Sequence, residues 1–201
     1  MFKAVIAKGE GKTRAKYLRQ IVAERLTEKP CETFAGNAHT DRGNEQEPRG
    51  IMVYEARTGN IVERSDFIPH PTLRAGCSPD GLIDEDGGYE GKSVIPTVQV
   101  ETLLCRTYPT EHKPQVQGNL WIAERAWWDF HSYCPDMLNP QHRSYIFRVV
   151  RDEDYIAMLA REVAAFCGEV DRLCDQLAGK DDLEERLRQS VVQAEARRVA
   201  A

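Results

Sequence analysis

The chain is expected to form a single α/β or α+β domain, with strands in its middle and helices on either side. Three observations predict this. From Asp152 onward, Ile156, Leu159, Val163, Phe166, Val170, Leu173 and Leu177 recur at alternating steps of three and four, the period of a long helix. Two runs before it, Ala126 to Tyr133 and Ser144 to Val150, are aromatic and β-branched, as strands are. Between residues 78 and 92, short apolar segments flank Asp84-Glu85-Asp86-Gly87-Gly88. Aspartate and paired glycine tolerate the positive φ of a hairpin turn.

The elements follow in order. Tyr17, Leu18, Ile21, Val22 and Leu26 have helical spacing and predict a helix from Thr13 to Thr27. Pro30 and the polar stretch 36–43 interrupt the pattern. A second helix is expected from about Asn44 to Arg57, with Ile51 and Tyr54 on one face. Pro48 falls in its first turn, where a missing N–H is tolerated, and Thr58-Gly59-Asn60 ends it. Ile61 to Ile68 reads as a strand closed by Pro69 and Pro71. After the hairpin, Thr97 to Arg106 reads as a short helix, Tyr108-Pro109 breaks it, and Lys113 to Arg125 begins another. The long helix is expected to end at Ala178-Gly179-Lys180. Asp181 and Glu184 then resemble a capping box for a separate charged helix over 181–201. The apolar seam after Asp152 spans few heptads, so it is expected to pack on the chain's own sheet rather than in a coiled coil. With no repeat or low-complexity tract, residues 1–201 read as one domain with its core at about 40–178.

Composition narrows the function classes. The chain has 201 residues, 41% hydrophobic and 29% charged, ordinary values for a globular protein. No apolar run is long enough to span a bilayer, and the cytoplasm is the expected compartment. Six cysteines lie apart with no C-x-x-C pair, which argues against a zinc site or a disulfide framework. A net charge of −5 argues against a protein that coats nucleic acid but leaves room for a nuclease, whose site needs carboxylates. Lys8, Lys12, Arg14, Lys16 and Arg19 form a basic run best read as a solvated helix face.

The chemistry concentrates in the stretch from Ser78-Pro79-Asp80-Gly81 to Glu90-Gly91-Lys92. A Glu-x-Lys triplet means little alone, since Glu10-Gly11-Lys12 and Glu111-His112-Lys113 also occur. Only the middle triplet follows a Pro-Asp-Gly turn and a hairpin. In a strand, residues two apart share a face, so Glu90 and Lys92 project together. Asp80, Glu90 and the Gly91 carbonyl would offer magnesium the oxygen ligands it prefers. Lys92 would orient a water or stabilise charge on phosphorus. Glu47, on the second helix, would add a third carboxylate. Gln115 and Gln117 begin an otherwise apolar helix, where buried amides need polar partners. The alternative is a surface hairpin whose charges are merely solvated.

Taken in order, Gly43…Glu47, Cys77-Ser78-Pro79-Asp80-Gly81, Glu90-Gly91-Lys92 and Gln115-Val116-Gln117…Trp121 resemble the lambda-type phage exonucleases, or YqaJ-like viral recombinases, of the PD-(D/E)-x-K nucleases. Tyr133-Cys134-Pro135-Asp136-Met137 is similar to that family's Tyr-x-Pro-x-Met segment. The resemblance covers roughly residues 40–165. It implies a restriction-endonuclease-like core, a central mixed sheet flanked by helices with a long C-terminal helix. It also implies magnesium-dependent (or manganese-dependent) digestion of linear duplex DNA from 5′ ends, a homotrimer, and a phage single-strand annealing protein as partner. Asp80, Glu90, Gly91 and Glu47 would hold metal, Lys92 would act on the nucleophile, and Gln115 would line the site. Ser78, Gln117 and His112 would contact DNA. Two departures stand out. The chain opens at Phe2-Lys3-Ala4-Val5-Ile6-Ala7, inside the family's first helix, so a truncated N-terminal helix is expected. His112 stands where a tyrosine is common. A site-specific or structure-specific DNA endonuclease of the same superfamily and a catalytically inactive DNA-binding scaffold remain the alternatives.

Overall fold

The computed structural model describes residues 2–7, 12–31 and 38–199, and for 38–45 and 180–199 the backbone alone. In chain order the elements are α1 (Phe2–Val5), α2 (Lys12–Thr27), α3 (Ala38–Thr58), β1 (Ile68–Pro69), β2 (Gly76–Cys77), β3 (Gly81–Ile83), β4 (Gly87–Ser93), α4 (Pro96–Cys105), α5 (Lys113–Ile122), β5 (Trp127–Tyr133), β6 (Ser144–Val150) and α6 (Glu153–Val199). β3, β4, β5 and β6 form one sheet in that order, and only the β4–β5 pair is parallel. Two parallel strands cannot be joined by a hairpin, so the chain crosses over through α4 and α5 between them. The mixed sheet flanked by helices, with a long C-terminal helix, is the architecture expected above.

Strand alternation sorts the sheet into two faces. Trp128 and Phe130 face α5 and bury with Val116, Leu120, Val149 and Ile156. On the other face Tyr89 and Ile83 bury with Tyr54 of α3 and with Val62. That face also carries polar groups, all satisfied. His131 meets the Tyr89 hydroxyl at 2.9 Å and the Ser144 hydroxyl at 2.8 Å. Asp129 takes the Tyr54 hydroxyl at 2.6 Å and two bonds from Arg148. A second core lies behind α5, where Leu159, Val163, Phe166 and Val170 of α6 meet Phe2, Val5, Leu18, Val22 and Ile122. The ring of Phe2 sits so close to Gly118 that a Cβ there would lie 2.3 Å from it, so glycine is what lets α1 dock on α5.

Several expectations are corrected. The second helix begins at Ala38 rather than about Asn44, and Pro48 lies inside it rather than in its first turn. Ile68 opens β1, but Ile61 to Phe67 is not a strand. It makes one isolated bridge, Glu63 to Leu82, and turns Val62 into the core. The helix begun at Lys113 ends at Ile122, three residues before Arg125. Gly87 and Gly88 do not supply the hairpin's positive φ. Asp84 does, at 46°, and the glycines open β4, where any Cβ would strike Trp127 or Trp128. Gly179 does not end the long helix, and no separate helix begins at Asp181, because α6 runs unbroken to Val199. Its apolar seam packs mainly on α2, α5 and α1, with Ile156 alone joining the sheet's cluster. Lys8 and the 36–37 stretch lie outside the described residues.

Candidate active site

β4 is the spine of the site. Glu90 and Lys92 leave it on the α5 face, as the period-two pattern requires. The hairpin register sets Gly81 opposite Tyr89, so Asp80 arrives beside the same stretch of β4. The Gly91 N–H donates to Asp80 Oδ2 at 2.9 Å and fixes that carboxylate. β1 and β2 pair Ile68 with Cys77, which holds the segment leading into Asp80.

Glu90 has no solvent exposure. The Lys92 ammonium donates to its Oε1, as does Gln115 Nε2 at 2.7 Å, while Asn119 Nδ2 donates to Oε2 at 3.3 Å. Burial pushes the Glu90 carboxyl above the usual range; Lys92 opposes this, and the nearby Asp80, within hydrogen-bond reach, reinforces it. For Lys92, burial pulls the pKa down, yet Glu90, Asp80 and Glu47 outweigh it and hold the ammonium charged. Glu47, half-buried on α3, is near enough for its charge to raise the Lys92 pKa. The Ser93 hydroxyl donates to Gln46 Oε1 and ties that helix to β4.

The structure thus brings together Asp80, Glu90, Gly91, Lys92 and Gln115, with Glu47 nearby on α3. His112 lies at the margin, its ring 5.2 Å from that of Phe130, and burial followed by the charge of Lys92 lowers its pKa. Ser78 is exposed just ahead of Asp80. Gln117 is the exception. It is 2% exposed, donates to the Val150 carbonyl at 2.9 Å and accepts from the Asp152 N–H at 2.9 Å. Both ends of its amide brace the β6–α6 corner, so the expected DNA contact is corrected to a structural one. Sequence reasoning missed Asn119, although its position four residues after Gln115 on a helix was a usable signal.

The donors suit a hard divalent cation. Two carboxylates and a peptide carbonyl are oxygen ligands, and magnesium is commonly held by one or two carboxylates with retained waters. Burial is the main cause of the raised Glu90 pKa and the neighbouring Asp80 adds to it, and a bound cation would favour the ionised carboxyl. Among the described residues, no three His, Cys, Asp or Glu side chains are placed to hold a metal ion together, so Glu47 does not join Asp80 and Glu90 as a third carboxylate ligand in this structure.

Fold and site together define a deoxyribonuclease of the phage exonuclease type. The structure is similar to that of the alkaline exonuclease LHK-Exo from Laribacter hongkongensis, with a TM-score of 0.82 and 31% identity over 90% of each chain. The same figures hold for LHK-Exo in complex with dAMP. A phage-related exonuclease from Haemophilus somnus 129PT shares the fold at a TM-score of 0.63, with 16% identity over 88% of this chain and 93% of that one. No curated protein sequence matches. Residues 1–126 match the YqaJ-like viral recombinase domain, and the chain belongs to that family.

Proposed function

We propose that this protein is a magnesium-dependent exonuclease that degrades linear double-stranded DNA from 5′ ends. It exposes single strands for recombination by annealing. The observation that carries the reading is the Glu90 carboxylate, fully buried yet surrounded by Lys92, Gln115, Asn119 and Asp80. A structural ion pair has no need of a second carboxyl in the same pocket. Asp80, Glu90 and the Gly91 carbonyl would hold the ion, with manganese as a substitute for magnesium. When bound, the ion supplies charge neutralisation and a more acidic water. Lys92, kept charged by its neighbours, stabilises negative charge on the phosphate and orients the attacking water. Gln115 holds Glu90, and His112 and Ser78 meet the DNA at the margin. The binding of dAMP by LHK-Exo supports mononucleotides as products.

Three features of the proposal rest on the family alone: a homotrimer, an annealing protein as partner, and action in the cytoplasm of a bacterial host. Among the described residues no helix is long and apolar enough to cross a membrane. The test uses linear duplexes labelled at either 5′ or 3′ ends, alongside closed circular DNA, all with magnesium. Early release of the 5′ label from linear DNA alone supports the proposal. Early release of the 3′ label reverses the direction, cutting of the circle points to an endonuclease, and no cutting at all points to a scaffold.

A further inference from the structure

Glu90 has no access to solvent, so each of its oxygens depends on a donor from the protein. Oε1 has two, Lys92 and Gln115. Oε2 receives Asn119 Nδ2 at 3.3 Å. Asn119 is itself 2% exposed and stands four residues after Gln115, so one face of α5 delivers an amide to each oxygen of one carboxylate. That helix is a firm platform. Val116 and Leu120 are fully buried, and Gly118 lies against the ring of Phe2.

The last torsion of a glutamate side chain has broad preferences, so its carboxylate plane is set by what holds the two oxygens. Donors on Oε1 alone leave the plane free to swing about that oxygen. A donor on the other oxygen removes that freedom. We propose that Asn119 is a positioning residue, which fixes the Glu90 carboxylate so that it is presented, with Asp80, to the divalent cation. This rests on the nuclease reading above. Groups that orient metal ligands in this way are worth about 10–100-fold in metal affinity or activity.

Two variants test it, Asn119→Leu, which keeps the approximate size without a donor, and Asn119→Ala. Magnesium binding is measured by calorimetry, kcat and KM on linear duplex across a magnesium titration, and folding by thermal melts in chelator. We expect the magnesium dissociation constant to rise at least about 10-fold, with the half-saturating concentration for activity rising in parallel. KM for DNA at saturating magnesium should stay unchanged. A variant that melts lower in chelator but binds magnesium like the wild type would show a purely structural role and overturn the inference. So would a folded variant with wild-type binding and wild-type kinetics. Wild-type protein that neither binds magnesium nor releases nucleotides overturns the nuclease reading itself, and this inference with it.

Discussion

Replacing Glu90 by glutamine should change the protein's stability in a way that depends on pH and metal. The amide keeps the size of the carboxyl and removes its charge. In the folded protein the Glu90 pKa is pushed up from 4.5 to about 7, with burial the largest cause. Because the folded value is raised, the contribution of Glu90 to stability is fully present below 4.5 and is lost as pH climbs through about 7. At about 1.4 kcal/mol for each pKa unit, the loss is about 3 kcal/mol. Glu90→Gln cannot lose it. The stability of the variant relative to the wild type should therefore rise by about 3 kcal/mol between about pH 4.5 and about pH 8. Urea denaturation in chelator at the two pH values measures this. Magnesium at the higher pH should restore the wild type, because a cation favours the ionised form, and leave the variant unmoved. A stability difference that is the same at both pH values would refute the reasoning, as would equal stabilisation of both proteins by magnesium.

Two other substitutions separate roles within the site. Lys92→Met should lower kcat by roughly 10²–10³-fold, the usual cost of losing one charge-stabilising group, with magnesium still bound by calorimetry. Gln117→Leu should cost about 1–3 kcal/mol in urea denaturation, because it strands the Val150 carbonyl and the Asp152 N–H, and leave KM for DNA unchanged.

The sequence carried the Asp80–Lys92 hairpin clearly and α6 only in part, for physical reasons. The placing of Asp80, Glu90 and Lys92 was legible because strand period and turn chemistry are local; the strand period holds, and of the turn residues Asp84 but not the glycines takes the positive φ. Gln115 and Gln117 looked alike in sequence, yet two residues on a helix turn through about 200°, so they face opposite sides. Only Gln115 reaches Glu90. Its true companion is Asn119, one turn on, which periodicity marks and composition hides. Ile61 to Ile68 has strand-like residues, but the Glu63–Leu82 bridge is isolated and Val62 is drawn into the cluster with Tyr54, Ile83 and Tyr89. Gly179 misled because a single glycine inside a helix costs only about 1 kcal/mol, and the leucine, alanine, glutamate and arginine around it favour helix.

The central claim is that the carboxylates beside Lys92 form a metal-dependent cutting centre. Its most direct test is the release of mononucleotides from 5′-phosphorylated linear duplex, followed across a magnesium titration, by the wild type and by Asp80→Asn. The account predicts release by the wild type that rises with magnesium and stops with chelator, and none from Asp80→Asn although it folds. Equal release by the two proteins, or release that persists in chelator, would contradict it.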